Sequence, residues 1–322
     1  MLLLAVLAFA TLLPVHGEGA VWFGHLTTAG ITLLFFLHGA KLSRQAILAG
    51  IGAWKLHLMV LGTTFVLFPL LGLGVVGLMG NWIDPAVAEG FLFLCIVPST
   101  VQSSIAMTSI ARGNVPAAVC SASLSNVLGI VLTPLLAAML IRSGAAADGF
   151  FLSALTKVAT TLLLPFVAGH LARPLIGSFV DGHRKLVMRT DRGVILLVVY
   201  GAFSAAVVDG LWTRFSAGDL AVIFVLDSLL LAAVLLFTWR LARFLSLPHE
   251  DEAVLVFCGS KKSLASGVPM AGALFPPAQV GLVVLPLMLF HQLQLIVCSA
   301  LAQIYARRDT ARSTMEETAN AV

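Results

Sequence analysis

Charge is what this chain has least of. Of its 322 residues only 11% are charged, 59% are hydrophobic, and the mean hydropathy is +1.02. A soluble domain carries about 25% charged and roughly 45–50% apolar residues. So few charges cannot cover so much apolar surface in water, and the solvent for most of this chain is lipid. A membrane-crossing helix uses about 20 mostly apolar residues, so some ten such helices consume nearly the whole length and leave no room for a soluble catalytic domain.

The signatures of catalysis and metal binding are missing as well. The cysteines are Cys95, Cys120, Cys258 and Cys298, all inside apolar segments and none in a C-x-x-C pair, which reads as buried thiols rather than metal ligands. An H-E-x-x-H zinc-protease motif is absent, as is a G-x-S-x-G nucleophile elbow. An intramembrane aspartyl protease needs two membrane aspartates, and Asp227 is the one carboxylate well inside a predicted span. Only Ser-His chemistry stays open, so the chain is read as a non-enzyme requiring no cofactor. Met1 to Leu13 lacks the basic start and the A-x-A site of a signal peptide, and reads as a short or truncated first helix.

The expected spans are 2–13, 23–40, 52–78, 86–111, 114–141, 150–173, 192–209, 219–245, 252–274 and 279–306, separated by Pro, Gly and charge clusters. With an internal N-terminus, the even loops and the C-terminal end hold Lys41, Arg44, Arg112, Arg173, Arg184, Lys185, Arg189, Arg192, Arg240, Arg243, Arg307, Arg308 and Arg312. The odd loops hold Arg142 and Arg214 alone. Basic residues concentrate in cytoplasmic loops, so the expectation is a multi-pass protein of the inner membrane with both termini cytoplasmic. Lys55, Lys157, Lys261 and Lys262 fall inside spans. Lys55, beside His57, is expected to snorkel to the interface, and Lys157 is either an interface anchor or a buried cation.

The fourth and ninth spans break helical rules. The fourth runs from Glu89 through an apolar stretch into Pro98-Ser99-Thr100-Val101-Gln102-Ser103-Ser104, and the ninth from Ala253 into Cys258-Gly259-Ser260-Lys261-Lys262-Ser263, with Pro269 beyond. Proline removes a backbone donor and glycine weakens a helix. Opened backbone at membrane depth is tolerated only inside protein or around a watery cavity, and interrupted helices at matching places in two halves point to a transporter site. A polar cluster follows each break by one span: Leu124-Ser125-Asn126 in the fifth and His291-Gln292-Leu293-Gln294 in the tenth. Five helices is an odd number, so the second repeat enters from the opposite side. The expected fold is all-α: repeats over 1–142 and 143–308, inverted, and a cytoplasmic tail over 309–322. The residues converging on the breaks form the candidate site: Ser99, Thr100, Gln102, Ser103, Ser104, Ser123, Asn126, Ser260, Lys261, Lys262, Ser263, His291, Gln292 and Gln294.

At these residues the chain resembles the bile-acid/sodium symporter superfamily, and within it the sodium/bile acid cotransporter 7-like branch. Pro98 to Ser104, Ala111-Arg112-Gly113-Asn114, Leu124-Ser125-Asn126 and Cys258 to Leu264 carry the resemblance, with Lys55-Leu56-His57 and Lys41-Leu42 as further branch features. It implies a panel domain from helices 1, 2, 6 and 7, and a core domain from helices 3–5 and 8–10 in which the broken helices cross. It also implies transport by rocking of one domain on the other. Sodium-coupled members carry an acidic residue shortly before a Gln-Asn pair in the second broken helix. Here Phe257 matches the acidic place and Lys261-Lys262 the amide pair. An ammonium has three donors and no acceptor, so one of these lysines, Lys262 before Lys261, is expected where a sodium ion stands in relatives. It would couple transport to protons if it shed its proton in one conformation, bind an anionic substrate if it stayed charged, or fill the site without coupling. Asp227 is expected to pair with Lys157 or Lys262, or else to lie nearer the outer surface.

The resulting reading is a secondary transporter of a small organic anion by alternating access. Its partners are that anion and the bilayer rather than nucleic acid, and coupling to Na+ or H+ is open. The other class in play is a membrane regulator of ion homeostasis or envelope assembly that moves no solute. A channel fits two crossing broken helices poorly.

Overall fold

The computed structural model describes residues 2–41, 51–79, 82–141, 156, 159–208, 210 and 217–320. Among them the regular structure is entirely helical. In chain order the helices are α1 (Leu2–Leu12), α2 (Glu18–Lys41), α3 (Trp54–Met79), α4 (Pro85–Ile96), α5 (Gln102–Ile110), α6 (Val115–Leu140), α7 (Ala159–Gly182), α8 (Arg184–Val208), α9 (Ala217–Phe244), α10 (His249–Gly259), α11 (Leu264–Leu274) and α12 (Pro277–Asn320). Seven of these, α2, α3, α6, α7, α8, α9 and α12, are long and apolar enough to cross a membrane. Trp22, Leu78, Trp82, Leu175 and Phe244 are each more than three-quarters exposed. Apolar surface on that scale marks contact with lipid, and the chain is a multi-pass membrane protein.

The expected interruptions of the fourth and ninth spans separate α4 from α5 and α10 from α11. The expected long loop from Arg173 to Arg192 is instead helix, interrupted only at His183. Its charges are held rather than loose: Arg173 donates to the Ala40 carbonyl and, at 3.0 Å, to Asp181, while Lys41 pairs with Asp191. A helix can run past the lipid boundary once its polar groups meet water or each other, and α12 does the same beyond Arg307. Arg44, the segment Arg142 to Gly149 and the 142/143 repeat boundary, Lys157 and Arg214 lie outside the described residues.

Two glycines let α2 and α7 touch backbone to backbone. A Cβ on Gly39 would sit 1.9 Å from the Phe166 carbonyl oxygen, and one on Gly169 would sit 1.9 Å from that of Phe36. In lipid no hydrophobic force draws helices together, so close van der Waals approach at small residues does that work. α8 packs on α1 and α2 on one side and on α11 and α12 on the other.

The broken helices are wrapped by the others. Gly90 to Ile96 of α4 and Ala253 to Gly259 of α10 are buried without exception. The Ala111-Arg112-Gly113-Asn114 segment proves to be a joint. Arg112 takes a left-handed turn with φ 57°, and Gly113 N–H reaches back to Thr108 O at 2.8 Å. Asn114 caps α6 by accepting from Ala117 N–H at 3.1 Å and donates to Asp251 of α10 at 3.0 Å. It pins the entry of α10 beside the exit of α5, which fixes the relative placement of the two breaks.

Gly39→Ala or Gly169→Ala should lower the thermal midpoint in detergent, with the cost of about 1–3 kcal/mol typical of overpacking. Gly74→Ala, where an added Cβ meets nothing within 4 Å, should leave it unchanged or slightly raised. Equal behaviour of the three variants would contradict the close contact.

Candidate functional site

A helix end leaves its last carbonyls without intrahelical donors, and Pro98 removes one more N–H at the end of α4. In water the solvent would satisfy them; at this depth protein must. Each carbonyl from Cys95 to Ser99 has an identified donor. Cys95 O and Val97 O accept from Lys262 Nζ at 2.7 and 2.8 Å. Ile96 O accepts from the Thr133 hydroxyl at 2.9 Å. Pro98 O takes the Ser263 N–H at 2.8 Å, and Ser99 O the Asn126 amide at 2.7 Å.

The second break is satisfied by the first in return. Ser99 Oγ donates to Cys258 O at 2.6 Å and Ser104 Oγ to Phe257 O at 3.0 Å. Since the Ser104 proton is spent on Phe257, its 2.8 Å contact with Thr100 must have Thr100 as donor, and Ser103 donates to Thr100 at 2.8 Å. Three hydroxyls thus relay in one direction toward the end of α10. Ser260 turns inward to Val256 O at 2.6 Å, and Ser263 caps α11 by accepting from Ser266 N–H.

Each of the long helices after a break clamps one opened residue by both its backbone groups. On α6, Ser125 Oγ accepts the Ser99 N–H at 3.0 Å while Asn126 donates to Ser99 O. On α12, Gln294 accepts the Lys262 N–H through Oε1 at 2.8 Å and donates to Lys262 O at 2.8 Å. The remaining amide proton of Gln294 goes to His291 Nδ1 at 2.8 Å, which places the ring's own proton on Nε2. Asn126 Oδ1 accepts from Ser266 at 2.6 Å, tying α6 to α11 as well.

The two lysines, both without exposed surface, differ in what they hold. Lys262 spends all three ammonium protons on carbonyls: Cys95 and Val97 at the negative end of α4, and Thr64 at 2.9 Å. Thr64 lies in a π-turn of α3, Thr63–Leu67, where the Phe68 N–H reaches five residues back to Thr63. The Phe68 ring closes the cage 4.1 Å from Lys262 Nζ. Lys261 donates to one protein oxygen among the described residues, Ser103 O at 3.0 Å, with the Phe257 ring 5.7 Å away.

Eleven expected site residues share this network: Ser99, Thr100, Ser103, Ser104, Asn126, Ser260, Lys261, Lys262, Ser263, His291 and Gln294. Gln102 and Gln292 are exposed and Ser123 half-buried, and none of the three joins it. Sequence reasoning missed Thr64, Ser125, Thr133, Ser266 and the Phe68 ring. Ser125 and Ser266 sat inside or beside the polar runs; Thr64 and Thr133 carry no local signal in apolar helices. Lys55 is exposed at the start of α3, as expected, and His57 is buried against Ser121 at 2.6 Å. Asp227 is buried and is not paired with Lys262, whose protons are already committed, while the alternative partner Lys157 lies outside the described residues.

The sequence profile of the SBF-like CPA transporter family matches residues 1–307. The chain belongs to that family. Among its relatives, "Uncharacterized protein PA2026" of Pseudomonas aeruginosa is 54% identical over 317 residues, covering 98% of this chain and 95% of that one. "Putative symporter YfeH" of Escherichia coli K12 is 51% identical over 319 residues, 98% of this chain and 94% of the relative. "Sodium/bile acid cotransporter 7" of Danio rerio is 26% identical over 293 residues, 89% and 84% of the two chains. The resemblance carried by the broken-helix residues is therefore a true membership of the bile-acid/sodium symporter group, an SBF-like family of membrane transporters rather than enzymes, needing no cofactor.

Gln294→Leu should orphan a buried N–H and a buried carbonyl at Lys262, each costing about 1–3 kcal/mol. Gln292→Leu, on the exposed side of the same helix, should cost little. Thermal unfolding of the two variants in one detergent checks this, and similar midpoints would refute the clamp.

Proposed function

We propose that this protein is a secondary active, symporter-like carrier that moves a small organic anion across the inner membrane by alternating access, with both termini cytoplasmic. The observation that carries the reading is the reciprocal exchange of donors between two broken helices, each clamped by the helix that follows it. Counting each broken pair as one passage and α1 as a shortened first gives ten passages. They form two inverted five-helix repeats, α1–α6 and α7–α12. The panel consists of α1, α2, α7 and α8; the core consists of α3–α6 and α9–α12. The rocking surface is the face of α8 against α11 and α12, which is apolar and small-residued: a Cβ on Gly281 would lie 2.9 Å from that of Ala206.

The donor count assigns different work to the two lysines. Lys262, saturated by three carbonyls, takes the place that the family resemblance gives to sodium, so sodium has neither free ligands nor favourable charge there. Lys261 keeps two ammonium protons without a partner among the described residues, beside the Ser103–Thr100 relay. Those protons suit a carboxylate or sulfonate on the substrate.

Sodium should therefore leave the thermal midpoint of the wild-type protein unmoved. Lys262→Ala should lose more than about 3 kcal/mol of stability, since it orphans three buried carbonyls, and propylammonium should restore part of that loss. In proteoliposomes, Lys261→Met should abolish counterflow of organic anions, tested with a panel of carboxylates and taurocholate. Sodium-dependent stabilisation of the wild type would sink the Lys262 assignment; absence of counterflow for every anion would sink the carrier reading.

A further inference from the structure

Asp227 is unused by the network above. It lies on α9 with no exposed surface, and neither carboxylate oxygen has a hydrogen-bond partner among the described residues. An ionised carboxylate in such a place carries a solvation cost far larger than the stability of any domain, and in practice takes up a proton instead. Ionisable groups inside membrane spans mark ion and proton pathways more often than structure.

Its neighbours sharpen the point. The elements packed on α9 are α3, α4, α10 and α12. Of these, Cys95 on α4 is within electrostatic reach of Asp227, and from α12 the backbone of Phe290 lies beside it outside hydrogen-bond geometry. No titratable side chain of α3 or α10 reaches it among the described residues. Cys95 is also the link to the cage: its carbonyl holds Lys262 Nζ at 2.7 Å, and its thiol is within electrostatic reach of both Lys262 and Asp227. The Phe68 ring under the ammonium stands edge to face with that of Phe290 at 6.0 Å, and Phe290 is the residue whose backbone neighbours Asp227.

We propose that Asp227 is the proton-binding site of this carrier, protonated while Lys262 occupies its carbonyl cage and deprotonated when the cage opens. On opening, the O–H bond of the carboxyl breaks, the proton leaves to water in the exposed cavity, and the freed ammonium supplies the charge that keeps the carboxylate ionised. Closing reverses each step. One proton then accompanies each cycle, and an internal cation does the work of a dissociable one. The inference rests on the cage reading above, but its test needs no substrate.

Infrared spectroscopy of the full-length protein in detergent near neutral pH, labelled with carboxyl-13C aspartate, reads the protonation state directly. The expected result is an isotope-shifted band of a protonated aspartic acid that Asp227→Asn removes. In parallel, the wild-type unfolding midpoint should fall relative to that of Asp227→Asn as pH rises from about 5 to 8. The folded protein keeps a proton that the unfolded chain releases, worth about tenfold in the unfolding equilibrium per pH unit. Absence of the labelled band, or parallel pH curves for the two proteins, overturns the proposal. Should Asp227→Asn fail to fold, the labelled wild-type spectrum decides alone. Neither readout involves transport, so failure here leaves the carrier reading standing, and failure of counterflow leaves the proton site intact.

Discussion

Opening a helix inside a membrane strips carbonyls of their donors where no water can replace them, and each unsatisfied group costs on the order of 1–3 kcal/mol. Around the α4–α5 break this constraint organises everything else. Five successive carbonyls are satisfied by donors drawn from α6 and from the connection between α10 and α11. Because no single neighbour supplies them all, the break holds its shape only when the surrounding helices are in register. The converse follows: a sliding of α6 or α11 against the break must exchange several hydrogen bonds together. A site of that kind favours discrete arrangements over gradual deformation.

Adjacent lysines at a helix break are equivalent by composition, yet their surroundings separate them. Successive residues in an unwound segment point in different directions, so Lys262 runs to the end of α4 while Lys261 runs to α5. The first finds the negative end of a helix, the widened π-turn of α3 and a ring face, all suited to a cation. The second finds one carbonyl and a file of hydroxyls. One ammonium is consumed by the protein and the other is left with donors to offer. Position within the break, more than residue type, sets these roles.

The rest of the molecule holds this core in place with ordinary membrane devices. Gly39 and Gly169 bring α2 and α7 together, Arg173 ties their ends at the Ala40 carbonyl, Lys41 ties α2 to α8 through Asp191, and the ends of α4 and α10 that lead into the breaks are buried. The Ala111–Asn114 joint shows that a motif legible in the sequence can be architectural: its glycine and asparagine couple the two broken helices at their outer ends rather than contacting a substrate.

Composition and hydropathy were enough to establish an all-helical membrane protein, because the need for about 20 apolar residues per passage is a one-dimensional requirement. The breaks at Pro98 and at Gly259 to Ser263 were equally legible, since proline and glycine act on the backbone locally. So were Asn126 and Gln294, members of short polar clusters in otherwise apolar helices. The sequence could not show that the Arg173–Arg192 stretch is helix, because its charges are stabilised by partners such as Asp181 and Ala40, brought close by folding. Nor could it show that Thr64 and Thr133 complete the site, or that Asp227 finds no partner among the described residues, since the distances that decide those contacts run across helices far apart in the chain. By itself the sequence determined that the chain is a helical membrane protein and where two of its helices break, for those follow from local chemistry. Only the tertiary structure decided which donor meets which carbonyl, and hence which lysine has every donor placed and which has one placed among the described residues, because a hydrogen bond depends on position in space.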